Sequence, residues 1–201
     1  MPCLNLAGKP FAPGRSNRFV DSHPERSRSH QHGEDLVNRR VHHYAAATKW
    51  VGRDGSEPWG YSSYRRSYTV SVEGKPDLPG SATSAFHGDP GKHNPEDLFL
   101  AAISGCHMLS YLALCARRGV EVLQYADEAR GVLELNADGG GRFIEIELHP
   151  TVTVTEDADR ALAEALHKSA HEACFIANSC ASTILCQPTI TTHSGGTGAA
   201  P

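Results

Sequence analysis

The sequence predicts an α+β domain in which groups of strands and two helices alternate along the chain. Segments with alternating polar and apolar residues, typical of strands, lie before, between and after the two helical segments. The first helical segment is long and apolar, and the second is amphipathic. With 201 residues, of which 39% are hydrophobic, the chain is long enough for one domain with a substantial core.

The two ends of the chain differ in composition from the middle. Residues 1–38 are rich in Pro, Ser, Arg, His and Gly and have no apolar periodicity, which predicts a disordered N-terminal extension. Acidic residues within this segment disfavour the alternatives of a transit peptide or a polyanion-binding arm. Residues 194–201 (SGGTGAAP) predict a flexible tail. The folded domain is therefore expected over residues 39–193.

Three strands are predicted before the first helix, over 42–52, 63–74 and 81–88. The Gly- and Pro-containing clusters GRDGSEPWG and GKPDLPG separate them and predict turns.

The long apolar helix has clear signals at both ends. Asn94 is a suitable N-cap, Pro95 fits the first helical position, and the acidic pair 96–97 favours the positive helix end. The basic pair 117–118 followed by Gly119 is typical of a C-terminal end. Apolar residues occur on every side, so we expect the helix to be surrounded by protein. Because one small domain offers too little cover, a second subunit is expected to supply the rest.

The remaining elements complete the α+β order. Two strands are predicted over 120–136 and 142–155, joined by the turn ADGGG. An amphipathic helix is predicted over 157–173 and a last strand over 184–192.

Bulk properties restrict the class of partner. The net charge of −4 provides no basic face for phosphates, so nucleic acid is not an expected partner. No uninterrupted apolar run approaches the roughly 18 residues of a membrane span, and the N-terminus has no continuous apolar stretch, so we expect a cytoplasmic protein. None of the six cysteines forms a Cys-x-x-Cys pair, and neither a disulfide framework nor a zinc knuckle is expected.

Cys106 and Cys174 are the residues most indicative of chemistry. A thiol in an apolar helix is usually a packing residue, and Cys115, Cys180 and Cys186 are interpreted in this way. Cys115 lies nine residues from Cys106, which places it on the opposite side of the helix, where the two cannot bridge. Cys106 and Cys174, each beside a histidine-bearing turn, make dithiol redox chemistry the hypothesis to test.

A reactive thiol must be ionised, and an apolar interior disfavours that charge unless a cation is close. Arg53, Arg65 and Arg66, near predicted strand ends, are candidates, and Glu96 is the natural carboxylate to orient such an arginine. Glu96 and Cys106 are ten residues apart, or about 15 Å along one helix. Two antiparallel copies of the helix about a twofold axis would bring Glu96 of one copy toward Cys106 of the other.

Two other chemistries fit the residues less well. Cys106, His107, His171 and Cys174 offer zinc-binding atoms, but adjacent helical residues diverge by about 100°, and HEAC lacks the second histidine of HExxH. No metal is therefore expected. A cysteine–histidine hydrolase would need its nucleophile exposed at a turn, whereas Cys106 lies within a helix.

Three motifs together resemble the OsmC/Ohr family of osmotically inducible and organic-hydroperoxide-resistance proteins. NPEDLFLAAISGC (94–106) is similar to the family helix that carries a glutamate and a cysteine at this spacing. Cys174 followed by FIANS is similar to the second cysteine motif, and GRDG (52–55) to the turn that carries the Ohr-type arginine. The resemblance covers residues 42–192.

The resemblance implies an intertwined homodimer in which long central helices are flanked by antiparallel sheets, with sites at the subunit interface. It also implies a thiol peroxidase that reduces organic hydroperoxides and is recycled by an external dithiol, without metal or cofactor. When the family's residue roles are transferred to this sequence, Cys106 is the peroxidatic cysteine and Cys174 is the resolving cysteine. Arg53 is the cation that activates Cys106, and Glu96 is the carboxylate that pairs with Arg53. OsmC-type members take their arginine from the strand before the helix, which here has none, so Arg65 and Arg66 are alternatives to Arg53.

An apolar pocket would favour alkyl hydroperoxides, and four residues are expected to line it: Phe99, Met108, Phe175 and Ile176. The alternative functions are a non-catalytic redox sensor or a small-ligand-binding dimer, because a fold does not fix a function. A structural dimer with packing cysteines is a third possibility.

Overall fold

Two helices and three small sheets make up the part of the chain that the structure, a computed structural model, describes: residues 41–193 except 54 and 57. The predicted extension 1–38 and tail 194–201 lie outside the described residues. The elements are β1 (Ala47–Trp50), β2 (Tyr68–Ser71), β3 (Leu78–Gly80), α1 (Pro95–Arg118), β4 (Val122–Asp127), β5 (Arg130–Leu135), β6 (Gly141–Leu148), β7 (Pro150–Val154), α2 (Arg160–Ala173), β8 (Thr183–Cys186) and β9 (Thr189–Thr192).

The first sheet is an antiparallel meander of β1, β2 and β3. The predicted third strand over 81–88 is wrong, because β3 precedes it and a short 3-10 helix, Ser84–Phe86, occupies part of it. The Thr83 side chain accepts a hydrogen bond from the backbone N–H of Ala85, and His87 adopts a left-handed φ of 61°. Both features bend the chain away from a strand.

The ends of α1 are confirmed. Asn94 and Asp97 form a reciprocal capping box, with each side chain accepting the other's backbone N–H at 2.8 and 3.2 Å. Pro95 is the first helical residue, and Gly119 ends the helix with a φ of +74°, which a residue with a Cβ adopts only with strain.

Within one chain, α1 buries a single stripe along its length. The stripe consists of residues spaced by four: Ile103, His107, Tyr111 and Cys115. The rest of the helix is half-buried or exposed, and Leu109 is 64% exposed. The expectation that protein surrounds the helix is therefore not met by one copy of the chain.

By length and composition α1 also passes the test for a membrane span, contrary to the expectation that no segment would. The core helices of folded domains pass the same test, so this is weak evidence for a membrane segment.

The other two sheets have the orders β4-β7-β9 and β5-β6-β8. The single strands predicted over 120–136, 142–155 and 184–192 are each wrong in the same way, because each splits into two strands that belong to different sheets. Asp127 links the first two of these breaks. It is the last residue of β4, and its carboxylate accepts the backbone N–H of His149, which lies between β6 and β7, at 2.7 Å. Pro188, which lacks an N–H, lies at the third break.

The α2 helix begins at Arg160, three residues later than predicted, because the Asp159 side chain caps it by accepting the backbone N–H of Leu162. The apolar face of α2 packs with α1 and the β4-β7-β9 sheet in the larger core cluster, which includes Tyr111 and Val152. A smaller cluster joins Ile103 to the β5-β6-β8 sheet. The packing of α1 against α2 positions the two cysteines of interest.

Candidate functional site

Cys106 and Cys174 are neighbours in the folded chain. Cys106 is half-buried in the middle of α1, and Cys174 is fully buried at the C-terminal end of α2. Both are free thiols, and the Cys106 thiol lies close enough to that of Cys174 to help raise its pKa. Two residues 68 positions apart, predicted from the sequence as a redox pair, are thus brought together.

The surroundings of Cys174 favour the protonated thiol. Burial raises its pKa from an ordinary 9.0 to about 11, and the adjacent Cys106 thiol adds to the increase. The backbone N–H of Ala177 donates to the sulfur at 3.4 Å and opposes this effect only in part. Cys174 is therefore mostly protonated at neutral pH.

A cavity of about 490 Å³ opens beside Cys106 between α1 and the end of α2. Its walls are mostly apolar and include Leu109, Leu114 and Phe175, with Arg117 and Glu172 as the charged lining residues. A small apolar molecule in this cavity would reach the Cys106 sulfur.

Of the four predicted pocket residues, Phe175 lines this cavity. Phe99 packs against Phe143 in the smaller core cluster, with ring centroids 5.3 Å apart. Met108 lines a separate cavity, and Ile176, 37% exposed, is not among the residues lining the cavity at Cys106.

The three candidate arginines lie in the segment between β1 and β2. Arg53 donates to the Gly55 carbonyl at 3.3 Å and lies over the Trp59 ring. Arg66 donates to the carbonyls of Tyr61 and Tyr64. Arg65 is exposed. Within the described chain, none of the three lines the cavity beside Cys106.

Glu96 lies in the first turn of α1, and its Oε2 atom is buried without a hydrogen-bond partner among the described residues. The carboxylate is close enough to Tyr68 of β2 to contribute to raising that pKa, which burial raises most. Arg66 has a buried Nε that likewise has no partner in the described chain. A buried carboxylate oxygen without a donor indicates a missing cationic or N–H partner.

Sequence reasoning missed a third group of residues, formed by His107, His167 and Cys186. The Nε2 atom of His107 lies 3.0 Å from Nδ1 of His167, and the Cys186 sulfur lies 3.6 and 3.9 Å from these two nitrogens. From the sequence, His107 is grouped with Cys106 and His171 as a possible zinc ligand. In the structure, however, His107 is buried in the core. Its position on the buried stripe of α1 was the available signal, because a histidine there needs a polar partner.

Both histidines of this group are uncharged at neutral pH. Burial lowers the pKa of His107, and burial together with His107 lowers the pKa of His167 to about 4. Tyr111 stacks on His167 with ring centroids 3.9 Å apart, which fixes the plane of that ring.

The fold and the two adjacent thiols define an α+β protein with a dithiol pair between its two helices. The model of the OsmC-like protein family matches residues 87–188, which include both cysteines, and the chain belongs to this family.

One curated relative and two solved structures are similar to this chain. The uncharacterized protein YmaD of Bacillus subtilis is 26% identical over 138 residues, or 67% of this chain and 84% of YmaD. An OsmC-like protein of unknown function from Vibrio cholerae is 26% identical and superposes with a TM-score of 0.66 over 74% of this chain and 100% of its own. An organic hydroperoxide resistance protein from Elizabethkingia anophelis shares the fold at 18% identity, with a TM-score of 0.58 over 77% of this chain and 99% of its own.

Proposed function

We propose that this protein is a thiol peroxidase that reduces organic hydroperoxides with Cys106 and Cys174. The observation that carries the proposal is the proximity of a half-buried thiol, which opens to an apolar cavity, to a fully buried thiol. Family membership supports it, since a solved structure that shares the fold is named an organic hydroperoxide resistance protein.

In the first step, the Cys106 thiolate attacks the distal oxygen of the hydroperoxide. The O–O bond breaks, the alkoxide leaves and takes a proton as the alcohol, and Cys106 becomes a sulfenic acid. The alkyl group of the substrate occupies the apolar cavity lined by Leu109, Leu114 and Phe175, which disfavours hydrogen peroxide as the preferred substrate.

In the second step, the Cys174 sulfur attacks the sulfur of the sulfenic acid. A disulfide forms, and the hydroxyl leaves as water with the proton of the Cys174 thiol. The high pKa of Cys174 keeps this thiol protonated, so it does not compete with Cys106 for the hydroperoxide. An external dithiol then reduces the disulfide by exchange, so the cycle needs no metal and no bound cofactor.

The activating arginine is proposed to act within a homodimer. Glu96 and Cys106 are ten residues apart in one helix, so a guanidinium held by Glu96 of one copy serves Cys106 of the other. The exposed apolar face of α1 and the unpartnered oxygen of Glu96 support this arrangement. Arg53 is the first candidate for the guanidinium, with Arg65 and Arg66 as alternatives.

The test is dithiol-dependent turnover of cumene hydroperoxide by the full-length protein. Cys106→Ser should abolish turnover, and Cys174→Ser should allow one turnover followed by over-oxidation of Cys106 to the sulfinic acid. Cys115→Ser is the matched control, since that thiol lies on the opposite side of α1, and it should keep full activity.

Mass spectrometry after titration with the hydroperoxide should identify a Cys106–Cys174 disulfide. Stoichiometric oxidation with no steady-state turnover in the presence of dithiols would instead identify a redox sensor. A protein without any disulfide between these two residues would refute the proposed cycle.

A further inference from the structure

The group of His107, His167 and Cys186 lies apart from the proposed redox pair and takes no part in the proposed cycle. Its residues come from α1, α2 and the end of β8, and the two histidines are 1% and 3% exposed. The three ligand-type atoms all lie within 4.8 Å of one another. Such a set of two imidazoles and one thiol, buried together, is a donor set suited to a soft transition-metal ion.

We propose that His107 Nε2, His167 Nδ1 and Cys186 Sγ form a binding site for one Zn²⁺ ion. This site is new with respect to the proposed peroxidase function and does not depend on it.

The spacing of the three atoms matches a zinc polyhedron closely. With Zn–N bonds near 2.0–2.1 Å and Zn–S bonds near 2.3 Å, tetrahedral geometry gives edges of about 3.3 Å between nitrogens and about 3.6 Å between nitrogen and sulfur. In the structure the two nitrogens are 3.0 Å apart, and the sulfur lies 3.6 Å from the His107 nitrogen and 3.9 Å from the His167 nitrogen. The two N–S edges therefore fit, and the N–N edge has to open by about a third of an ångström.

Without metal, the two rings share a hydrogen bond along this N–N edge. Their centroids are 5.3 Å apart and their planes differ by 12°, so the rings lie almost end to end. Zn²⁺ would replace the proton between them, and each ring would rotate within its own plane so that both lone pairs point to the ion. The ring protons then reside on the two outer nitrogens, and Cys186 releases its proton to solvent.

The surroundings offset much of the charge that an ion would bring. Zn²⁺ with one thiolate leaves one positive charge, and the carboxylate of Asp127 is close enough to affect His107, Tyr125 and Cys186 electrostatically. Ser104 Oγ donates to Asp127 at 2.5 Å, which helps to fix it in place. A buried ion with a nearby counter-charge costs far less than an isolated one.

Access and the fourth ligand position are also available. A cavity of about 460 Å³ reaches His167 and Cys186 from the outside and is lined further by Lys168 and His171. The Tyr125 hydroxyl, near Cys186, is buried without a hydrogen-bond partner in the described chain. A water molecule from the cavity can complete four-coordination.

The outer ring nitrogens limit the affinity. Nδ1 of His107 and Nε2 of His167 are buried, and the described residues supply no acceptor for either. Because metal-bound imidazoles normally donate to such an acceptor, we expect binding about 10- to 100-fold weaker than at a site with a complete second shell.

The experiment uses the reduced full-length protein, first freed of metal with a chelator. Titration with Co²⁺ should give a thiolate-to-cobalt charge-transfer band at one equivalent, and Zn²⁺ should displace the Co²⁺. The thiolate band distinguishes this site from histidines elsewhere in the chain, which bind cobalt without it.

Two variants and two controls locate the ion. Cys186→Ser should abolish the band, and His167→Gln should weaken Zn²⁺ binding at least 10-fold, the loss typical of even a second-shell defect. Cys115→Ser removes a buried thiol of α1 that is not a proposed ligand, and this variant should bind Zn²⁺ as the wild type does. A Cys106→Ser/Cys174→Ser double variant should also bind normally, although it abolishes any peroxidase activity.

The absence of a thiolate band in the wild-type protein, or its loss in the double variant, would overturn the site. Tight Zn²⁺ binding that survives both Cys186→Ser and His167→Gln would do the same. Because the double variant keeps the three proposed ligands, its cobalt spectrum decides the question even if the two ligand variants fail to fold.

Discussion

Alkylation of Cys174 in the native protein should be about 100-fold slower than that of an ordinary thiol near pH 8. Thiolate is the form that reacts with iodoacetamide. Burial raises the pKa of Cys174 from 9.0 to about 11, two pH units. At a pH below both values the thiolate fraction falls tenfold for each unit, which gives the factor of about 100. Steric burial of the sulfur slows the reaction further.

The assay is a time course of isotope-coded iodoacetamide labelling, read by peptide mass spectrometry over a range of pH. The reduced, denatured chain supplies the reference rate for Cys174 itself, and the half-buried Cys180 serves as an internal control in the same native segment. Because the native pKa is raised, the native rate should climb with pH up to about 11, whereas the denatured rate should level off near 9. A native rate within fivefold of the denatured rate near pH 8 would refute the reasoning.

Three further changes test the fold and the site. Ile103→Ala should lower the free energy of unfolding by about 2–5 kcal/mol in a denaturant titration, since this side chain is fully buried; a loss below about 1 kcal/mol would contradict the packing. Gly119→Ala should cost about 1–2 kcal/mol, because φ is +74° and nothing else is within 4 Å of the added methyl group; an unchanged melting temperature would count against that helix end. Glu96→Gln should slow alkylation of Cys106 several-fold by releasing the arginine that is proposed to activate it, and an equal rate would remove Glu96 from the site.

The parts of the fold that local sequence determines were predictable. Asn94, Pro95 and Gly119 act through contacts within a few residues, so their types alone indicated where α1 begins and ends. The spacing of nine residues likewise placed Cys115 opposite Cys106, and the structure has Cys115 in the core and Cys106 at a cavity.

The divisions of the sheets were not predictable in this way. Residues 120–136 and 142–155 each read as one continuous strand, because strand propensity does not record which neighbour a strand pairs with. The chain changes sheets where Asp127 accepts the N–H of His149, a contact between residues 22 positions apart. Similarly, Cys186 contacts His107, which lies 79 positions earlier in the chain. From the sequence alone, Cys186 could only be interpreted as a packing residue.

Three features of α1 support the proposed pairing with a second copy of the chain. Glu96 has a buried oxygen without a partner among the described residues, the helix exposes an apolar face at Leu109, and Glu96 lies about 15 Å from the thiol that it is proposed to serve. Leaving a buried carboxylate oxygen unpaired costs about 1–3 kcal/mol. Burying Leu109, which is 64% exposed, would stabilise an interface by about 1–2 kcal/mol. The proposed twofold pairing of α1 helices would cover Leu109 and place Glu96 of each copy near Cys106 of the other. If the protein stays monomeric at the concentrations at which it reduces hydroperoxides, the proposed pairing is wrong. The cation for Cys106 would then have to come from the cavity beside it in the same chain. Among the described residues that line this cavity, Arg117 is the arginine.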